Sequence, residues 1–263
     1  MPKFTLNRDA VRQPVQMAVV RSTEVVNFCC SCMTTADLSK APQLENNRIV
    51  FTAPELGSEE RKSAYEAWIL ARGFHDVLRG AKETLEQAIV YLRLLEKQPS
   101  TQQQLDELTA SQKKKAQRAG FDDLLKKVNK RLSVPLEFPD ALLSLQQARN
   151  CLEHRGGIVG DEDCRGASKF ALSFPRLKFF YLREGKEVEL EVGSVVQPQG
   201  GQSHAIVMVR LDLQRKELAI GDHLALSASE FNSIAFAVMT MGEHIANHLP
   251  GTITAGDAAV AGA

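Results

Sequence analysis

The stretch "SEERKSAYEAWILARGFHDVLRGAKETLEQAIVYLRLLEKQ", residues 58–98, decides the class of fold. Tyr65, Trp68, Ile69, Phe74, Leu78, Leu85, Ile89 and Leu92 recur at roughly helical spacing, with charged residues between them. Ser58 stands where an N-cap belongs and two glutamates follow it, so the spacing predicts one long amphipathic helix, bent at Gly73 or Gly80. An apolar stripe of that length must be covered, and the flanking segments have to cover it.

Downstream, "PSTQQQLDELTASQKKKAQRAG" (99–120) is polar and rich in Gln and Lys, which reads as an exposed helix or a mobile connection. "FDDLLKKVNKRL" (121–132) reads as a short helix and "SVPLEFP" (133–139) as a Pro-marked turn. "DALLSLQQARNCLEHR" (140–155) follows as a helix with Asp140 as its cap and Leu142, Leu145 and Leu152 on its apolar side. After Gly156 and Gly157 the period changes from helical to alternating. Residues 171–227 carry three to four strands in an antiparallel meander, with "REGKE" (183–187) and "LQRKE" (213–217) as hairpin turns and "QPQGGQS" (197–203) as a longer loop. "SASEFNSIAFAVMTMGEHIANHL" (227–249) returns to a helix capped by Ser227 or Ser229, and "PGTITAGDAAVAGA" (250–263) reads as a frayed tail.

Upstream, residues 1–57 mix apolar stretches such as "VQMAVV" and "NRIVF" with turn-like "KAPQLENN" and "TAPELGS", and read as short elements joined by turns. The expected architecture is α+β: a bundle of about four helices, three before and one after an antiparallel sheet of three to four strands. The chain divides into an N-terminal segment (1–57), a helical core (58–160), a sheet insertion (161–226), a C-terminal helix packing back on the bundle (227–249) and a flexible tail (250–263).

The 263 residues, 44% apolar and 24% charged, suffice for one sizeable core. No run of about 18 apolar residues occurs and the N-terminus lacks a secretory apolar stretch, so the expectation is a cytoplasmic protein without membrane association. The 32 basic and 32 acidic residues cancel, which excludes a global nucleic-acid-coating charge and leaves room for a local basic groove. Lys113, Lys114 and Lys115 form the best basic cluster and are RNA-binding candidates through phosphate contact; a solvated helix face is the plainer reading. Five cysteines, three of them crowded in "FCCSCM" (28–33), match neither a disulfide framework nor a paired zinc knuckle. His244 and His248 have zinc-compatible spacing without the H-E-x-x-H order, and no P-loop, Rossmann or nucleophile-elbow pattern is found. Neither a metal nor a cofactor is expected.

"QQARNCLEHRGGIVG", residues 146–160, places Arg149, Asn150 and His154 at the end of a helical pattern. This stretch resembles the signature of the HEPN superfamily, an arginine followed by a polar residue and then a histidine four to six positions on. The resemblance implies a helical bundle, a homodimer whose two motifs meet, and a metal-independent ribonuclease site. It implies Arg149 as the phosphate-binding cation, His154 as general acid or base and Asn150 as the polar position beside the arginine. It also suggests a place in bacterial stress response or phage defence, with an antitoxin or other regulatory protein as partner. Many relatives are noncatalytic, so the alternative is a HEPN-like module that binds RNA, a nucleotide or a protein.

The chemistry suits those residue types. Attack by a ribose 2′-OH needs a base, an acid for the leaving oxygen and positive charge on the phosphorane, and histidine and arginine supply them without metal. On a straight helix Arg149 and His154 lie about 140° apart whereas Asn150 and His154 share a face. Bringing all three together therefore takes a bend toward Gly156 or a second protomer. Glu153 either pairs with Arg149 or orients a histidine, and His75 and Asp76 on the long helix are auxiliary candidates that face the motif across the bundle. The competing structural reading has Asn150 and His154 bonding nearby backbone at a helix end, with Arg155 turned to solvent.

Overall fold

The computed structural model describes residues 5–41, 55–190, 196 and 206–251, and the protein is α+β over them, with seven helices and a three-stranded antiparallel sheet. The long helix is present as α2 (Ser58–Lys97), with Phe74, Leu78, Leu85 and Leu92 buried where it packs on α1 (Asp9–Thr35) and α7 (Ala228–His248), whereas Trp68 near its start is exposed and Tyr65, Ile69 and Ile89 are half-buried. Phe74, Leu78 and Leu85 of α2 join Val15 and Val26 of α1 and Phe231, Ile234 and Val238 of α7 in one core. No helix among the described residues is long and apolar enough to cross a membrane.

The expectation of short elements before residue 57 is overturned for Asp9–Thr35, which is a single 27-residue helix. Its valines and Pro14 are poor helix formers, which is why local pattern reads as broken. Burial decides instead: Val11, Val15, Ala18, Val19, Ser22 and Val26 make a continuous stripe against the neighbouring helices. Next to the proline, the Val15 N–H donates to the Thr84 hydroxyl at 3.2 Å, a partner supplied by α2. "NRIVF" lies outside the described residues.

The glycines of α2 mark close approach, and the helix continues through them. A Cβ on Gly73 would come within 2.6 Å of the Val26 side chain, and one on Gly80 within 2.5 Å of the Ala18 Cβ. Ser58 is the first helical residue and not the cap; Gly57 caps, its N–H donating to the Glu60 carboxylate at 3.1 Å. The polar stretch forms an exposed helix, α3 (Gln102–Arg118), started by the Thr101 hydroxyl accepting from the Gln104 N–H at 3.2 Å. Then come α4 (Phe121–Asn129) and α5 (Pro139–Arg155). α5 is capped by Phe138 without a side-chain bond, so Asp140 sits inside the first turn, where its charge meets the positive end of the dipole. In α7, Ser227 and Glu230 cap reciprocally at 3.1 and 2.8 Å.

After the one-turn α6 (Asp161–Cys164), the sheet runs β1 (Lys169–Arg183), β2 (Lys186–Glu189) and β3 (Met208–Ala219), in spatial order β2-β1-β3. "REGKE" is the β1–β2 hairpin: Arg183 pairs with Lys186, and Glu184 and Gly185 turn the chain at φ of 53° and 75°. "LQRKE" is not a turn but the middle of β3, with Arg215 opposite Ser173. It contains no residue suited to positive φ, and its alternation carries straight on along β1. "QPQGGQS" lies outside the described residues. Phe170, Leu172 and Phe174 of β1 are buried against α5 and α7, so the sheet closes the helical core on that side. Leu177, Phe179, Val209, Leu211 and Leu213 remain exposed on its opposite face.

Candidate functional site

The end of α5 explains its two glycines before anything else. Gly156 and Gly157 take φ of 60° and 86°, and the Gly157 N–H turns back to the Cys151 carbonyl at 3.1 Å. The chain beyond is pinned beside the segment after β3, with Leu224 N–H on the Gly157 carbonyl at 2.7 Å and Val159 N–H on the Asp222 carbonyl at 3.0 Å. The helix runs through Arg155 to this stop, so no bend swings Arg149 toward His154.

Arg149 turns instead toward α2. Its Nη2 lies 2.9 Å from His75 Nε2, the same nitrogen pairs with Glu153 one turn along α5, and Nη1 donates to Asn150 Oδ1 at 3.3 Å. Guanidinium offers only donors, so in this arrangement His75 Nε2 accepts and its proton sits on Nδ1. Glu153 bridges the group: Oε1 is 3.3 Å from His75 Nε2, while Oε2 reaches His154 Nε2 at 3.8 Å. Beyond His75, Asp76 Oδ1 is 3.7 Å from Nδ1, and Asp76 also pairs with Arg21 at 3.8 Å and Arg79 at 4.0 Å. Asn150 is held by Gln146 at 3.0 Å. The fold thus gathers His75, Asp76, Arg149, Asn150 and Glu153, and leaves His154 outward with 62% of its side chain exposed against 26% for Arg149.

Arg149 and Asn150 open onto a cleft of about 480 Å³ between α2, α4 and α5. Arg79, Lys82 and Arg165 share its lining, making four cations with Arg149, against one carboxylate, Asp122. Asp122 is already paired with Lys126 at 2.9 Å through Oδ2. Arg79 and Lys82 also line a neighbouring cavity of about 760 Å³ that reaches Lys113, whereas Lys114 and Lys115 line neither cavity and are exposed on α3. Four cations on one cleft suit a phosphate or another multiply charged anion, which competes there with the carboxylates that already pair with them, Glu153 on Arg149, Glu83 on Arg79 at 3.7 Å and Glu86 on Lys82 at 3.6 Å. Its extra cations were invisible in the sequence, because Arg79 and Lys82 sit on the polar face of α2 and Arg165 in a turn at φ of 49°.

Arg155 does not face solvent as the structural reading expected. It forks onto Asp163, with Nε 3.0 Å from Oδ2 and Nη2 on Oδ1, while Asp163 also accepts the Gly160 N–H at 2.9 Å. Asp163 is buried, and the ion pair staples the end of α5 to α6. Beneath it, burial first and the Asp163 charge second push the Cys151 thiol up to about 11, so this cysteine is a neutral, packed side chain. His244 Nε2 donates to the Val134 carbonyl at 2.8 Å and His248 meets Ser133 at 3.2 Å, which ties α7 to the loop after α4. Among the described residues no three His, Cys, Asp or Glu side chains converge as metal ligands. No protein-family model, curated protein or solved structure matches this chain, and the cleft stands on its own geometry.

Proposed function

We propose that the chain is a HEPN-like, metal-independent endoribonuclease that holds an RNA phosphodiester in the cleft between α2, α4 and α5. The observation that carries the reading is that Arg149 and Asn150, the first two positions of the HEPN-like signature, open onto a cleft shared with Arg79, Lys82 and Arg165. A phosphate arriving there competes with Glu153 for the Arg149 guanidinium, and bidentate contact orients it. The ribose 2′-OH then attacks phosphorus, the P–O5′ bond breaks, and a 2′,3′-cyclic phosphate and a 5′-hydroxyl form. One base takes the 2′-OH proton and one acid protonates the leaving oxygen. His154, exposed and off the cleft of its own protomer, serves a homodimeric site from a second copy. The setting is cytoplasmic, in stress response or phage defence, with an antitoxin or other regulatory protein holding the activity in check.

A second reading is favoured by a separate observation: Arg149 is already paired with Glu153, and His154 faces solvent. On that reading the chain is a noncatalytic HEPN-like module that binds RNA, a nucleotide or a protein. Labelled single-stranded RNA incubated with wild type, Arg149→Ala and His154→Ala in chelator separates the two. Cleavage to cyclic-phosphate ends by wild type, reduced about 100-fold or more by His154→Ala, supports the nuclease. Binding without cleavage, weakened by Arg149→Ala, supports the module. Absence of both binding and cleavage rejects RNA as the ligand.

A further inference from the structure

Among the described residues, α1 carries more exposed large apolar side chains than any other helix. Met17, Val20 and Phe28 are 74, 56 and 68% exposed, on the side opposite the buried stripe Val11, Val15, Val19 and Val26. At 100° per residue they fall with Arg21 and Glu24 within about a third of the helix circumference. Beside them runs a groove of about 730 Å³ between α1 and α2, in which Arg21, Glu24, Arg79 and Glu83 alternate in charge. A balanced, apolar-striped groove does not suit nucleic acid. It suits a helix carrying the same mixture, and α1 is such a helix.

We propose that a second copy of this chain docks here, α1 against α1, antiparallel about a two-fold axis between Ser22 and Thr23. That axis sets Met17 of one copy against Phe28 of the other, and Arg21 within reach of Glu24 twice over, an isologous contact in which the charges complement themselves. Large exposed apolar side chains flanked by charges are what such a surface requires. Arg21 now pairs with Asp76, which adjoins His75, so the interface lies one side chain from the Arg149 constellation. The inference rests on the surface of α1 and stands whether or not RNA is the ligand of the cleft.

Sedimentation of the full chain from about 1 to about 100 μM tests it, that range bracketing ordinary dimer affinities. Wild type is expected to dimerise and Phe28→Asp to remain monomeric with unchanged helicity by circular dichroism. Arg21→Glu and Glu24→Arg each place like charges across the axis and should weaken association about tenfold or more. An equimolar mixture of the two variants places opposite charges at both contacts and should recover wild-type affinity. A wild type monomeric throughout, a Phe28→Asp variant that still dimerises, or a mixture no tighter than either variant alone overturns the proposal. RNA assays on the same samples keep the two readings apart: a swap-responsive dimer that ignores RNA removes only the nuclease reading, and a cleaving dimer indifferent to Phe28→Asp removes only this surface.

Discussion

Arg149 shows how a motif residue acquires its meaning from neighbours the motif does not contain. The helix spacing of Arg149 and Glu153 was legible, and so was the divergence of Arg149 from His154; that His75 completes the group at 2.9 Å depends on how α2 lies against α5. Asp163 was not singled out, yet it is the buried member of the pair that ends α5. Asp163→Asn keeps the shape but loses the charge beneath Arg155, which stays partly solvated and paired with Glu162, and the cost should be about 1–3 kcal/mol, read from urea denaturation. The result that sinks this account is a midpoint within error of wild type. Cys151 gives a second check. Its thiol is raised to about 11 from 9.0, so the neutral form is favoured by folding. Stability from this group is complete below pH 9.0 and is lost as pH rises toward about 11, where the unfolded thiol is already ionised. Accordingly, iodoacetamide at pH 8 should label exposed Cys32 in the native protein and Cys151 only on unfolding, as mass spectrometry of digests will show.

Among the elements, α2 and α7 were legible because their apolar period is long and their polar faces are clear. α1 was not, since valines and a proline at its start imitate strands and turns until the helix is set against two partners. The same holds for "LQRKE", where charged residues in a two-sided strand resemble a turn and only pairing with β1 shows otherwise. Close approach of α1 and α2 makes a sharp prediction. Gly80→Ala raises helix propensity, yet its Cβ would sit 2.5 Å from that of Ala18, so the helices must separate. The net effect expected is destabilisation by about 1–3 kcal/mol, seen as a lower melting temperature. A melting temperature at or above that of wild type would falsify the close-contact account.

For the molecule as a whole, a neutral chain concentrates charge by folding. Arg79, Lys82, Arg149 and Arg165 come from two helices and a turn, and converge on one cleft while the net charge stays at zero. If RNA occupies the cleft, affinity should fall with salt, log K against log salt having a slope of roughly −0.7 per phosphate contacted on a single strand. Arg79→Ala and Arg165→Ala should each make the slope shallower by about that amount, whereas Lys114→Ala, on a residue that lines neither cavity, should leave it unchanged. Fluorescence anisotropy across a salt series measures this, and equal effects from all three variants would show that binding is not confined to the cleft.

The sequence by itself determined the α+β class, the long central helix, the order of the later helices around the sheet, and the opposed directions of Arg149 and His154. Those are properties of period and of local backbone geometry, and they need no partner. Tertiary structure alone decided that Asp9–Thr35 is helical, that Arg155 is stapled to Asp163, and that His75 and three further cations surround Arg149. Each depends on side chains distant in sequence being buried or opposed together, where desolvation and charge pairing act over a few ångströms and sequence spacing carries no record of them.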